Sequence, residues 1–249
     1  MMPFYGDVAQ FREAVTSVLD QSDPDLRLVV VDDCYPDPTP REWLASLNDA
    51  RVRYLRNDTN LGVNGNFRRC VDLVKADWFV VMGCDDVMHA DYLATVRTLT
   101  LHHPDASVIA PGVDVIDENG RTVRPLGDRM KNVLAPSHAT VLSGERLATS
   151  LYHGNWTYFP SLLWRTAAVR AVGGFRPGLE IVLDLALLVD LAAYDGSLVY
   201  DPEVVFSYRR HSASVSSVQA VDGRRFDEEN RFFAAEAERC AARGWPRAS

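Results

Sequence analysis

Residues 28–33 read Leu-Val-Val-Val-Asp-Asp, and residues 78–86 read Trp-Phe-Val-Val-Met-Gly-Cys-Asp-Asp. Short apolar runs of this kind are typical of buried parallel strands. The pairs Asp32-Asp33 and Asp85-Asp86 are therefore expected at the carboxyl ends of two strands, where open α/β sheets bind their ligands. Adjacent carboxylates repel each other unless a cation or hydrogen-bond donors offset the charge. The pattern predicts a site for a metal ion and a polar ligand.

Apolar residues at helical spacing alternate with strand-like runs along the chain, which predicts a mostly parallel, Rossmann-like α/β sheet flanked by helices. We expect strands over 26–31, 52–55, 78–82, 107–111, 198–201 and 204–209. We expect helices over 7–20, 91–101, 166–172, 182–195 and 222–243, one from a capping box at Thr39, and one from Phe67. Residues 57–66 are interpreted as a loop, and Asn119-Gly120 as a tight turn.

Composition narrows the class of protein. The chain has 249 residues, 47% hydrophobic and 24% charged, which suits one large globular domain or two small ones. Its net charge of −8 argues against nucleic acid as a partner. Four scattered cysteines fit no zinc spacing, so a reduced cytoplasmic protein is expected. The longest apolar stretch, 181–194, is interrupted by Asp184 and Asp190, so no membrane span is expected, whereas a lipid-linked substrate at a membrane surface stays possible.

Six motifs stand in an order that resembles the inverting glycosyltransferases of family 2, which have the GT-A fold. The resemblance covers roughly residues 3–217. The motifs are Pro3-Phe4-Tyr5; Val31-Asp32-Asp33 with Asp37; Asn60-Leu61-Gly62-Val63 with Asn66; Gly83-Cys84-Asp85-Asp86; Gly173-Gly174-Phe175 followed by Asp184; and Tyr208-Arg209-Arg210-His211 with Ser214 and Ser216.

The resemblance implies a site for a nucleoside-diphosphate sugar. Asp33 would accept a hydrogen bond from the nucleotide base, Asp85 would face the sugar or ribose, and Arg209 and Arg210 would offset the diphosphate charge. The other implied contacts to this donor are Pro3, Tyr5, Asp32, Asn60, Gly62 and Asn66. The acidic pair at Asp32 also has two other interpretations, a helix cap or solvated turn, and the acidic pocket of a response-regulator receiver. A receiver requires a lysine after its last strand, which this chain lacks.

For the metal, the resemblance implies Mn²⁺ or Mg²⁺ held by Asp86 and His211. The cation would act as a Lewis acid on the leaving diphosphate. The commonest form of the motif has a third aspartate where this chain has Gly83, so weaker metal binding is expected. A surface or core histidine and a structural acidic pair are the alternatives.

For catalysis, the resemblance implies that Asp184 is the general base that deprotonates the acceptor hydroxyl. Its apolar surroundings agree with a special role, because an unpaired acid in such a stretch is costly. The alternative is a helix-start or salt-bridged aspartate. An acceptor platform is expected from Asn155, Trp156 and Tyr158, although the two aromatic residues fit core packing equally well.

We therefore expect a single GT-A domain over 1–217, with a nucleotide-sugar half at 1–110, an acceptor half at 111–217 and a terminal helix at 218–249. The strand before Pro3 looks shortened to Met1-Met2. The expected reaction is metal-dependent, inverting transfer of a sugar to the hydroxyl of a saccharide, lipid-linked or small-molecule acceptor. A catalytically impaired nucleotide-sugar-binding protein is the first alternative. A sugar nucleotidyltransferase is the second, disfavoured because no Gly-rich basic loop follows Pro3.

Overall fold

A computed structural model gives the fold, and it describes residues 1–210 and 224–248. The strands are β1 Met2–Phe4, β2 Leu28–Asp32, β3 Val52–Arg56, β4 Trp78–Val80, β5 Val87–Met88, β6 Val108–Ile116, β7 Thr140–Ser143, β8 Leu163–Arg165 and β9 Ser197–Arg209. The helices are α1 Val8–Leu19, α2 Thr39–Ser46, α3 Gly62–Leu73, α4 Tyr92–His102, α5 Leu126–Leu134, α6 Gly144–Tyr152, α7 Thr166–Ala171, α8 Leu183–Ala193 and α9 Arg224–Arg243.

The sheet runs through the middle of the molecule. Strands β1, β2 and β3 are parallel, in the order β1-β2-β3. The other strands lie in the order β4-β8-β6-β9-β5, in which β8 and β5 run antiparallel to their neighbours. Strand β7 pairs antiparallel with β9. The Met1 nitrogen donates to the Val80 carbonyl at 2.8 Å, and the Met1 carbonyl accepts from the Met82 amide at 3.0 Å. These two bonds form a parallel bridge, so the chain at β1 joins the group β1-β2-β3 to the group that begins with β4.

Strand β1 is thus three residues long, and the chain here lies between β2 and the segment of β4. All three of its residues are buried, and backbone hydrogen bonds on both sides fix its register. Only Met1 and Met2 precede Pro3, as expected, and the strand continues through Pro3 and Phe4 of the first motif.

Helix α8 occupies the largest core cluster, with eight of its eleven residues buried. A helix that is apolar all round is stable only when neighbours cover every side. Its neighbours include α6 and α7, which explains the apolar stretch at 181–194. Within residues 1–210 and 224–248, no helix is long and apolar enough to cross a membrane.

Some expected boundaries and one expected helix cap were wrong. Helix α3 begins at Gly62 and not at Phe67, because the Asn60 side chain accepts from the Gly62 amide and Gly62 adopts φ +72°. Thr39 does not act as a capping-box residue; the Asp37 carboxylate accepts from the Thr39 amide and hydroxyl instead. The two strands expected near 198–209 are the single strand β9. The tight turn at Asn119-Gly120 is present, with Gly120 at φ +77°.

Candidate active site

A cavity of about 1030 Å³ opens where β1, β2, β4 and β9 end. Its wall combines segments that are far apart in the sequence, as expected for the carboxyl edge of a parallel sheet. The predicted residues that line it are Pro3, Tyr5, Asp33, Asn60, Gly62, Asn66, Asp85, Asp86, Asn155, Tyr158, Asp184, Arg209 and Arg210. Asp32 and Trp156 do not line it. His211, with Ser214 and Ser216, lies outside the described residues.

At one end of the cavity, a chain of amide side chains holds the Asp33 carboxylate. Asp33 Oδ1 accepts from Asn57 Nδ2 at 2.9 Å and from the Leu61 amide at 2.8 Å. Asn57 Nδ2 also donates to Asn66 Oδ1 at 3.0 Å, and Asn66 Nδ2 donates to the Val31 carbonyl at 3.0 Å. Within the described part of the chain, both bonds to the Asp33 carboxylate therefore end on one oxygen, and Asn66 supports that carboxylate through Asn57. Asn57 was not predicted from the sequence, although it directly follows strand β3, as Asp33 directly follows β2.

Asp32 has a different surrounding from its neighbour, because successive strand residues point to opposite faces. Its Oδ1 accepts from the Tyr35 amide at 2.7 Å. Its Oδ2 accepts from the Tyr54 hydroxyl and from Arg56 Nη1. Burial, together with the bond to Asp32, raises the pKa of Tyr54 to about 12, so the phenol keeps its proton. Asp32 ties β2 to β3, and its predicted contact with a nucleotide has no support in this geometry.

The second acidic pair contains a buried carboxylate that is only half satisfied. Asp86 is 1% exposed, and its Oδ1 accepts from the Arg209 amide at 2.8 Å. Among the residues that the structure describes, its buried Oδ2 has no hydrogen-bond partner. Burial and the neighbouring Asp85 charge raise the pKa of Asp86 well above its ordinary value. An orphaned buried carboxylate oxygen beside a second carboxylate fits a hard divalent cation such as Mg²⁺ or Mn²⁺.

The protein ligands to such a cation are few in this part of the chain. Within residues 1–210 and 224–248, no group of three or more His, Cys, Asp and Glu side chains could hold a metal ion. Asp86 with Asp85 thus forms a partial ligand set, and the predicted third ligand, His211, stays a prediction.

Residue 83, where the commonest motif has an aspartate, must be glycine in this arrangement for a steric reason. A Cβ at this position would lie 2.3 Å from Asp86 Oδ2 and 2.9 Å from Asp85 Oδ1. Contacts this short do not occur, so any side chain at residue 83 would displace a carboxylate. The glycine therefore allows the observed arrangement of the acidic pair and is more than a missing ligand.

Arg209 is buried and fully engaged with the protein. Its Nε donates to the Asp85 carbonyl at 2.6 Å, its Nη2 to Glu13 at 2.6 Å, and its Nη1 to the Asp117 carbonyl at 3.0 Å. The side chain is 1% exposed. Arg209 therefore fastens the acidic-pair loop to α1 and to the hairpin that follows β6, and its predicted contact with a diphosphate remains a prediction.

Arg210 lines the cavity and is held by an ion pair with Asp128 of α5. Its guanidinium binds both oxygens of Asp128, at 2.7 and 2.9 Å. Burial would raise the pKa of Asp128, but the bonds and charge of Arg210, the Tyr158 bond and the Lys131 charge together outweigh burial and lower this pKa. The Tyr158 hydroxyl donates to the same carboxylate at 3.0 Å. The predicted action of Arg210 on a diphosphate remains a prediction.

Asp184 and Asn155, predicted separately, meet on the cavity wall. Asp184 lies in the first turn of α8, where the helix dipole favours a carboxylate. Asn155 Nδ2 donates to Asp184 Oδ2 at 2.9 Å, and Asn155 Oδ1 accepts from the Thr157 amide and hydroxyl at 3.2 and 2.7 Å. These bonds fix one oxygen of the half-buried carboxylate and fix the amide that holds it.

The two predicted aromatic platforms have different positions. Trp156 is buried, with its Nε1 on Ser150 at 3.0 Å and its ring 5.2 Å from that of Tyr200, so the core interpretation fits this residue. Tyr158 lines the cavity, with the Lys131 ammonium 4.4 Å from its ring centre. Tyr158 is thus the aromatic residue of the pair that a ligand could contact.

The terminal helix α9 contributes residues that sequence reasoning did not find. Glu228 accepts from the amides of Glu180, Ile181 and Val182 at 2.7–3.1 Å, directly before α8. Glu229 and Phe233 from the same helix line the cavity. Helix α9 therefore caps the element that carries Asp184.

Comparisons with known proteins agree with this architecture. The family model described as Glycosyl transferase family 2 matches residues 1–166. The succinoglycan biosynthesis protein ExoO of Rhizobium meliloti is 25% identical over 225 residues, which is 88% of this chain and 62% of that protein. A glycosyltransferase of Rickettsia felis is 24% identical over 85% of this chain and 34% of its own length.

Among solved structures, residues 1–349 of S. aureus TarS in complex with UDP-GlcNAc superimpose with a TM-score of 0.68. The sequence identity is 17%, over 87% of this chain and 59% of that one. At this identity the likeness concerns the fold, and it confirms the predicted GT-A fold. The chain spans about three fifths of the length of ExoO and of this TarS structure.

Proposed function

The chain belongs to glycosyl transferase family 2, and from that membership and its cleft we propose that it transfers a sugar from a nucleoside-diphosphate sugar to an acceptor hydroxyl. One observation carries the proposal. A single cavity brings together Asp33, the pair Asp85-Asp86 and Asp184. These are the groups needed to bind a nucleoside, to hold a diphosphate and to deprotonate an acceptor.

We assign the nucleoside to the Asp33 end of the cavity. Among the described residues, the two hydrogen bonds that the Asp33 carboxylate accepts both end on Oδ1, so Oδ2 can accept an N–H from uracil, thymine or guanine. The Asn57–Asn66 pair holds the carboxylate in place before the donor arrives, which lowers the ordering cost of binding.

The diphosphate is assigned to the region of Asp85 and Asp86. When bound, a divalent cation would be held by Asp86 and His211 and would stabilise the charge of the leaving diphosphate. The orphaned Oδ2 of Asp86 supports this assignment. Without a cation, two carboxylates would repel the diphosphate, so we propose that transfer depends on Mn²⁺ or Mg²⁺.

Asp184 is the proposed general base. Asn155 occupies its Oδ2, which leaves Oδ1 to take the proton of the acceptor hydroxyl. The acceptor oxygen then attacks the anomeric carbon from the side opposite to the diphosphate, the sugar–phosphate bond breaks, and its electron pair leaves with the diphosphate. A single displacement of this kind inverts the anomeric configuration. A positioned base contributes roughly 10²–10⁴ to the rate.

A panel of UDP-, GDP- and dTDP-sugars with Mn²⁺ tests the proposal, first by thermal shift and then by release of nucleoside diphosphate. UDP-sugars come first because the TarS structure contains UDP-GlcNAc. We expect one nucleotide class to raise the melting temperature and to be turned over when a saccharide, lipid-linked or small-molecule acceptor is added. EDTA should stop turnover, and Mn²⁺ should restore it.

Two results would contradict parts of this proposal. Undiminished turnover in EDTA would refute the metal dependence. Binding of a nucleotide sugar without turnover, for every acceptor class tried, would favour a nucleotide-sugar-binding protein. The anomeric configuration of the product, read by NMR, separates inversion from retention.

A further inference from the structure

Helix α5 presents its apolar side to solvent. Leu126, Met130, Val133 and Leu134 are 74%, 53%, 77% and 37% exposed. Their spacing of i, i+4, i+7 and i+8 places them on one face of the helix. The opposite face is anchored in the protein by Asp128, which is buried and bound to Arg210 and Tyr158. Surface helices normally turn their apolar face inward, so this orientation calls for a partner.

Positive charge surrounds this apolar face. The exposed Arg129 flanks it on the helix, and the exposed Arg121 and Arg124 precede it. The only acidic residue in 121–134 is Asp128, whose charge Arg210 neutralises. The surface of this segment is therefore basic, although the whole chain carries a net charge of −8. An apolar stripe with cationic flanks is typical of helices that lie in the plane of a membrane interface.

We propose that α5 docks the protein onto an anionic lipid bilayer. Leu126, Met130 and Val133 enter the boundary between headgroups and acyl chains, while Arg124 and Arg129 face lipid phosphates.

A second copy of the chain fits this surface less well. A stable interface buries about 800 Å² per partner, more than one nine-residue helix offers. A symmetric α5-to-α5 contact would also bring the arginines of one copy against those of the other. Both the size of the face and the sign of its charge favour a membrane surface.

This orientation would place the cleft beside the bilayer. The inner face of α5 reaches the cavity, because Asp128 holds Arg210 and because Lys131 lines the cavity wall. If the proposed glycosyl transfer is correct, on which this step rests, docking favours the lipid-linked class among the three classes of acceptor.

Vesicle co-sedimentation tests the proposal without any turnover. Vesicles of phosphatidylcholine with phosphatidylglycerol are compared with vesicles of phosphatidylcholine alone, at low and high salt. We expect binding to the anionic vesicles that weakens with salt. The double variant Leu126→Gln/Val133→Gln should bind roughly a hundredfold more weakly, since each buried aliphatic side chain is worth about tenfold or more. Arg124→Gln/Arg129→Gln should lose about fivefold per charge.

The matched control is Leu101→Gln, on α4, because Leu101 is 80% exposed and is not part of α5. This variant should bind vesicles like the wild type, and all variants should keep the wild-type melting temperature. No binding by the wild type, or equal binding by Leu126→Gln/Val133→Gln, would overturn the proposal. Concentration-dependent dimers in sedimentation velocity that the same double variant abolishes would also overturn it, in favour of a second copy. Nucleotide-sugar turnover is read separately, so the two proposals fail independently.

Discussion

Gly83→Ala adds one methyl group, and this group should displace the carboxylates of Asp85 and Asp86 from their observed positions. The new Cβ would lie 2.3 Å from Asp86 Oδ2, whereas ordinary contacts begin at 3.4 Å, so that oxygen must move by about 1.1 Å. Asp86 is buried, and its Oδ1 is bound to the Arg209 amide, so the movement strains or breaks a 2.8 Å hydrogen bond. Loss of this bond costs about 1–3 kcal/mol. For a protein of this size, we expect the melting temperature to fall by roughly 2–10 °C.

The same movement displaces the oxygen that we assign to the cation. Disturbing the support of a metal ligand typically weakens metal binding about 10–100-fold. Calorimetric titration of Mn²⁺ in the presence of UDP measures this loss, and differential scanning calorimetry measures the stability. Gly127→Ala is the control, because nothing lies within 4 Å of its added Cβ and its backbone is not in the left-handed region. Wild-type Mn²⁺ affinity and melting temperature in Gly83→Ala would refute the steric argument.

The remaining predictions concern Glu228 of α9, the Asp128–Arg210 ion pair of α5, and Asn155, which holds the proposed base Asp184. Glu228→Gln removes the charge that binds three amides before α8, so kcat should fall while donor affinity stays unchanged. The control Asp227→Asn, at an exposed neighbouring residue, should change neither quantity. Equal kcat in the two variants would contradict the role of Glu228 in holding the start of α8. Asp128→Asn should lower the unfolding free energy by about 1–3 kcal/mol at pH 7. Because Arg210 lowers the pKa of Asp128, this difference should be complete above about pH 4 and shrink as the pH falls through the lowered pKa; a difference that grows in acid would refute it. Asn155→Ala frees Asp184 Oδ2, so kcat should fall with little change in donor Kd, and a change in donor Kd alone would place Asn155 elsewhere in the reaction.

The sequence predicted the fold because its signals are local. Apolar runs and helical spacing depend on nearby residues, and they identified most of the strands and helices of the nucleotide half. Helix α3 was misjudged at its start, since the Asn- and Gly-rich segment 60–66 has loop composition. There Asn60 and the positive φ of Gly62 begin a helix, a use of turn residues that composition alone does not reveal.

Several side-chain positions depended on partners far along the chain. Arg209 looks like a solvent-facing arginine in the sequence, yet it is buried because Glu13, 196 residues away, pairs with it. Glu228 contacts residues 46–48 positions earlier, across a fold that no sequence pattern reports. Asp32 is the last residue of β2 and Asp33 directly follows it, yet only Asp33 lines the cavity. Strand alternation could have separated them, since one residue in the register decides which carboxylate meets the cavity.

The most direct test of the central claim compares Asp184→Asn with the wild type under single-turnover conditions. Nucleoside-diphosphate release and donor Kd are measured on the same samples, with the donor found by the thermal-shift panel. We predict that release slows by about 10²–10⁴ while donor Kd stays within about twofold, because the base acts on the acceptor and not on the donor. Near-wild-type release by Asp184→Asn would contradict the claim that this carboxylate is the general base.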